Sequence, residues 1–296
     1  MRYSYHGRTM STVPVTGHSN WSPSSLSPFL VSYIHGSYPY RSPFGHMKPA
    51  DYIEACVNDL KEMLDVGSAG DVACLIAEPI TGVGGFGTPP DGLFGALQAV
   101  LKERGILYIS DEVQTGWGRT GENFWGYQAH GVTPDILTFA KGLGNGLAIG
   151  GLVARAEVMN CFKANSLATF GGNPLSTRGA LATMRYLKKH NLQQNAADRG
   201  REMREGLTRI AAKSKSIGEV RGKGLMQGIE FIEPGTKKPN AAASLALLEE
   251  TKARGLLIGR GGLYSNTNRI APPLTITAGE VKEGLDIIEA SMRAIG

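Results

Sequence analysis

Between Val72 and Ala140, three short apolar runs are separated by a helical pattern and a loop, and this alternation constrains the fold more than any other feature. The runs are VACLIA at 72–77, ILYI at 106–109 and ILTFA at 136–140. Each is brief and almost continuously apolar, as strands buried on both faces are. Between the first two, Leu93, Leu97, Val100 and Leu101 share one helical face, and Gly105 closes the helix. Strand, helix, strand is the pattern of a parallel sheet with crossover helices, so the chain reads as α/β. Each run also delivers an ionisable residue at its carboxyl end: Glu78, Asp111 and Lys141. That edge of a parallel sheet is where ligands sit.

The rest of the chain frames this core. Residues 1–50 are rich in Ser, Pro, Tyr and Gly; Leu30–Ile34 is expected to be a short strand and the remainder loop lying over another part of the molecule. A helix follows from Asp51, with Ile53, Val57, Leu60 and Leu64 on one face. After Lys141, IGGLVA reads as another strand. Pro174 opens a helix that runs towards His190, and a second helix covers about 196–212 with Met203, Leu207 and Ile210 inward. From Ser216 the texture becomes short strands and turns, then a helix near 241–254 and the run GLLIGR. A last helix is announced by Thr277 and Glu280, a capping box. The expected division is a mainly parallel large domain at 1–190 and a smaller α+β domain at 191–296.

Composition excludes several classes. The net charge of +5 is spread over short clusters such as Lys188-Lys189-His190, not the concentrated patch a nucleic-acid site needs. The three cysteines, Cys56, Cys74 and Cys161, have no metal spacing and are expected to be buried thiols, with no metal bound. The opening MRYSYHGRTM has no apolar signal core, and no run reaches the length of a membrane span. A cytoplasmic chain without a membrane role is expected.

A lysine between an apolar run and Gly-Leu-Gly-Asn-Gly is either a Schiff-base nucleophile with a depressed pKa or a strand-end lysine reaching solvent. Asp111 is either a cofactor partner or a turn cap. Glu112, beside it, points the other way and makes structural contacts. Glu78 orients a ligand or caps Gly84-Gly85. Arg269, in a loop before a Pro-Pro turn, has the fork that suits a carboxylate, although a lone loop arginine is usually solvated. An amine and a carboxylate on neighbouring strand ends suit pyridoxal 5'-phosphate, whose aldehyde takes an amine and whose pyridinium nitrogen pairs with an acid.

The motifs YHGRT at 5–9, AEPI at 77–80, DEVQTGWGRTG at 111–121, PDILTFAKGLGNG at 134–146, TFGGNP at 169–174, VRGKGLMQGIE at 220–230 and RIAPPLTIT at 269–277 follow one another in order. Together they resemble the class III aminotransferases, which have pyridoxal-phosphate fold type I. The resemblance implies a transaminase in which Lys141 holds the cofactor and then moves the substrate Cα proton, while Asp111 keeps the pyridine nitrogen protonated. Val113 and Tyr5 would flank the ring, Gln114 would bond its phenolic oxygen, and His6 would belong to the same cofactor site. Thr169 would reach the phosphate of the partner subunit, implying a homodimer with shared sites. Arg269 would clamp the substrate carboxylate, with Glu78 nearby, while Arg8 and Arg119 would be structural.

The wording around AEPITGV and GLLIGRGGLYSNTNRIAPPLTIT is similar to the mitochondrial-type alanine–glyoxylate branch. Branches acting on 4-aminobutyrate or ornithine carry an acid where this chain has Val83. An alanine-like donor and a small oxo acid such as glyoxylate or pyruvate are therefore expected. An ω-amino acid or β-alanine–pyruvate transaminase, or a catalytically impaired homologue, is the alternative. Relative to the family the chain is expected to be truncated at its N-terminus, leaving the large domain incomplete and without the Gly-Ser loop that holds the cofactor phosphate.

Overall fold

A computed structural model describes residues 1–24 and 26–296. Two four-stranded sheets organise them. The first contains β1 (Cys74–Ala77), β2 (Leu107–Asp111), β3 (Ile136–Phe139) and β4 (Gly151–Ala154), in that order across the sheet. β1, β2 and β3 run parallel, and β4 returns antiparallel to β3. The parallel part explains the apolar runs. Helices α1 (Pro49–Val66) and α2 (Leu93–Glu103) pack against it through Tyr52, Leu60, Phe94, Leu97 and Leu101, closing on Tyr108 of β2.

The cover is uneven. β4 lies at the edge of the sheet, and its Leu152 and Val153 are 53% and 57% exposed. Beyond it come the single-turn α3 (Ala156–Met159) and a stretch in which Phe162, Leu167 and Phe170 face solvent.

The second sheet has the order β5 (Ile217–Lys223), β6 (Met226–Phe231), β8 (Thr267–Ile270) and β7 (Gly259–Gly261), antiparallel throughout. Before it come α4 (Pro174–Lys189), capped by the Asn173 side chain accepting from Ser176 N–H, and α5 (Leu192–Ala211). Helices α5, α6 (Ala241–Ala253) and α7 (Ala278–Ile295) enclose a core of Met203, Leu207, Ile229, Phe231, Leu247 and Ile288. The Thr277–Glu280 capping box forms as expected.

Three expectations need correction. Leu30–Ile34 is not a strand: among the described residues it has no ladder partner, and Leu30 is 97% exposed. It is tied by Ile34 O, which accepts from Arg2 N–H at 3.1 Å, and by the Tyr33 hydroxyl, which donates to Pro14 O. Of the cysteines only Cys56 is buried; Cys74 starts an edge strand and Cys161 follows α3, so both thiols are exposed. Arg269 sits on β8 and not in a loop, because the polar run TNRI pairs with β6 on one side and β7 on the other.

β6 alternates its faces, as strands must. Ile229 and Phe231 face the helices, whereas Glu230 turns towards the first 90 residues. There it meets Arg41 Nε at 2.5 Å, Arg221 Nη1 at 2.5 Å and the Tyr38 hydroxyl. Arg221, on β5, also donates from Nε to Gly85 O at 2.9 Å and from Nη2 to Tyr38 Oη at 2.8 Å. This buried network fastens the second sheet to the loop after β1. Arg221→Leu strands the Glu230 carboxylate with one arginine, and is expected to cost about 3–5 kcal/mol in urea unfolding.

Candidate active site

The register explains why the strand-end groups converge. Ala77 pairs with Ser110 and Asp111 with Thr138, so Glu78, Asp111 and Lys141 leave three adjacent parallel strands at the same edge. Lys141 opens a 3₁₀ turn, Lys141–Leu143, with φ of 42°. A non-glycine residue in that left-handed region is uncommon and is held there by its surroundings.

Asp111 is buried and held on both oxygens: Oδ1 accepts from Val113 N–H at 3.1 Å, and Oδ2 lies 2.7 Å from His6 Nδ1. Burial pushes the His6 pKa down, an effect that the Asp111 hydrogen bond and charge partly oppose, so the ring is neutral. A carboxylate only accepts, so the proton is on Nδ1. His6 Nε2 is then a buried lone pair, and it has no partner. Among the described residues no arginine or lysine forms an ion pair with Asp111.

Burial lowers the Lys141 pKa and Arg269 adds to the fall, while Glu78 and Asp111 draw it back up. The amine is therefore a better nucleophile and base near neutral pH than a free lysine. Lys141 lines a cavity of about 450 Å³ together with Val113, Gln114, Trp117, Phe86 and Met226.

Glu78 is 4% exposed. It does not cap Gly84-Gly85; its two oxygens accept from Tyr5 N–H and Gly82 N–H, each at 2.8 Å. Desolvation, reinforced by the nearby Asp111 charge, pushes its pKa up to about 8 despite those bonds and Lys141. The sign follows from proton counting. Between about 4.5 and 8 the folded state keeps a proton that the unfolded chain has lost, so this group makes stability fall as pH rises through that window. Glu78→Gln is expected to flatten that slope in denaturation curves recorded across it; an unchanged slope would show that Glu78 is ionised throughout.

Arg269 donates from Nη1 to Gly82 O at 3.1 Å and from Nη2 to Arg260 O at 3.2 Å. Its Nε has no partner, and among the described residues it has no carboxylate within ion-pair distance. Arg269 lines a second cavity of about 440 Å³, which shares Phe86 and Gln114 with the Lys141 cavity.

The structure thus gathers Glu78, Asp111, His6, Tyr5, Val113, Gln114, Lys141 and Arg269 around one sheet edge. Thr169 is not among them; it lies in an exposed turn and lines neither cavity. Tyr5 packs edge-on against Trp21, with centroids 5.4 Å apart. Arg119 is structural, giving Nη1 to Pro272 O at 2.5 Å, and Arg8 is exposed. Glu112 is structural too: buried, it accepts from Gly126 N–H at 2.8 Å, Tyr127 N–H at 2.7 Å and the Thr115 hydroxyl at 2.5 Å. Sequence reasoning missed Phe86, which lines both cavities. Its signal was only an aromatic residue after Gly84-Gly85.

The family Aminotransferase class-III matches positions 1–292. A curated relative, alanine–glyoxylate aminotransferase 2 homolog 2, mitochondrial, of Arabidopsis thaliana, is 38% identical over 99% of the chain, which spans 60% of that protein. The 4-aminobutyrate aminotransferase GabT of Escherichia coli is 35% identical over 96% of the chain, which spans 66% of it. Among solved structures, an (S)-enantioselective omega-transaminase from Thermomicrobium roseum superposes with a TM-score of 0.88 at 32% identity, covering 99% of this chain and 67% of that one.

Proposed function

From the premise that the chain belongs to the class III aminotransferases, we propose that it serves a pyridoxal-phosphate-dependent transfer of an amino group from an alanine-like α-amino acid to a small oxo acid. The observation that carries the substrate class is the unpaired Arg269. Its guanidinium has five N–H donors and gives two to carbonyls, so the second hydrogen on each Nη remains for a carboxylate.

The residues present fit the ring end of the cofactor. A buried carboxylate without a lysine or arginine partner is costly, and a pyridinium is a cation suited to it. Asp111 would hold that nitrogen and Lys141 the aldehyde carbon, with Val113, Gln114 and Tyr5 around the ring. When bound, the cofactor supplies the electron sink that makes a substrate Cα–H acidic. Lys141 Nζ, with its lowered pKa, takes and returns that proton. His6 and Val113 N–H keep the Asp111 carboxylate aimed, and Glu78 fixes Tyr5 and Gly82 on either side of it. The apolar side chains of Val113, Phe86 and Met226 displace water from the Lys141 cavity.

In this reading residues 1–190 form the cofactor-binding unit and 191–296 the smaller unit carrying Arg269. The exposed Thr169 serves the phosphate of a second copy in a homodimer. The relative from Escherichia coli favours a second reading, with 4-aminobutyrate as donor. A donor screen separates them. Alanine consumed with pyridoxal phosphate and glyoxylate, and 4-aminobutyrate left untouched, is the expected result; the reverse order would replace the substrate assignment, and no transfer from any amine would sink the enzyme reading.

A further inference from the structure

We infer that Phe86 is a positioning residue that sets how firmly the site grips a substrate carboxylate, by holding the Arg269 guanidinium over its ring. The inference rests on the proposed role of Arg269 and extends it to a residue with no polar atom in its side chain.

The Arg269 guanidinium carbon lies over the Phe86 ring, 5.6 Å from its centroid. A cation over an aromatic face is attracted by the ring quadrupole, more strongly where water is excluded, and Phe86 is only 2% exposed. The ring cannot drift, because it packs with Ile80 and Met226 in a small core of its own. Its backbone is committed as well. Phe86 has φ of 57°, a left-handed conformation that an L-residue with a bulky side chain rarely adopts.

That conformation is over-determined by the loop. Thr81 and Gly87 form an antiparallel bridge, and Phe86 N–H donates to Thr81 O at 2.8 Å. Outside the bridge, Arg221 Nε holds Gly85 O at 2.9 Å and Gly262 N–H holds Val83 O at 3.0 Å. Strain held by so many bonds at a cavity wall is a sign of function. The same loop gives Gly82 O to Arg269 Nη1. One tight turn thus contacts the arginine twice, with a carbonyl at Nη1 and an aromatic ring beneath the guanidinium carbon. Both contacts leave the second hydrogen on each Nη unused.

Phe86, with Gln114, Ala271 and Pro273, lines both the Lys141 and the Arg269 cavities. A donor without a carboxylate makes no use of the arginine.

The test compares Phe86→Leu, which removes the ring face, with Phe86→Tyr, which keeps it, in the full chain with pyridoxal phosphate. Phe86→Leu is expected to raise KM for alanine and pyruvate by about 3- to 30-fold, the range a cation–π contact corresponds to. The loss in kcat/KM should be several-fold larger for alanine than for isopropylamine, and Phe86→Tyr should restore the alanine KM. Equal losses with alanine and isopropylamine would mark Phe86 as merely structural and overturn the inference, as would an unchanged alanine KM. A second readout needs no turnover: propionate should protect Arg269 from phenylglyoxal in the wild type, with half-protection at a several-fold higher concentration in Phe86→Leu. An inactive wild type that still shows this shift would defeat the enzyme reading alone; equal protection of both proteins would defeat the Phe86 inference.

Discussion

Lys141→Ala is expected to abolish amino transfer, with a loss of about 10⁴-fold or more, since one side chain supplies both the nucleophile and the proton carrier. The fold should survive. Lys141 forms no ion pair among the described residues and occupies a 3₁₀ turn whose backbone bonds do not involve its side chain. Chemical rescue sharpens the test. The adjoining cavity of about 450 Å³ has room for a small free amine, so methylamine should recover part of the proton-transfer rate in the variant and add nothing to the wild type. A variant keeping more than about a hundredth of the activity would assign the chemistry to another residue.

Asp111→Asn should be nearly as severe, lowering kcat by about 10²–10³-fold through loss of a preorganised charge. Its shape is retained: an asparagine oxygen can still accept from His6 Nδ1–H or Val113 N–H. What disappears is the negative charge that favours a protonated ring nitrogen. The reading therefore expects KM for alanine to stay within a few-fold while kcat collapses. A variant with normal kcat and a raised KM would move Asp111 from electronics to binding.

The sequence pointed to both residues for a simple reason. A parallel strand packed under helices favours an apolar run, and the ionisable groups stand at its end, so Asp111 and Lys141 stand out against ILYI and ILTFA, although the structure leaves these strands only partly buried. Helices α1, α2, α5 and α7 were legible from their apolar faces, and the start of α7 from its capping box. β8 was not. Thr267-Asn268-Arg269-Ile270 has little apolar content, and it forms a strand because neighbours on both sides satisfy its backbone. Leu30–Ile34 failed in the opposite sense, since strand-like composition is not enough where no ladder is offered.

In the site, groups with a single chemical purpose were readable and groups acting through contacts were not. The double acceptor role of Glu78 depends on Tyr5, which is remote in sequence. The Nδ1 tautomer of His6 depends on a partner more than a hundred positions away. Phe86 carries no motif chemistry; its part emerges only when β8 brings Arg269 across its ring.

The edge strand β4 has a consequence for how this polypeptide behaves in a tube. Beyond its pairing with β3, its outer backbone groups have no ladder partner among the described residues, and Leu152 and Val153 stand in water beside a stretch that exposes Phe162, Leu167 and Phe170. An open ladder next to exposed apolar side chains templates edge-to-edge pairing between chains. Colloidal behaviour therefore becomes a property of this one margin of the sheet. Light scattering that rises steeply with protein concentration, and falls when a lysine is placed at position 152, would locate that stickiness at the margin of β4 and separate it from any catalytic defect.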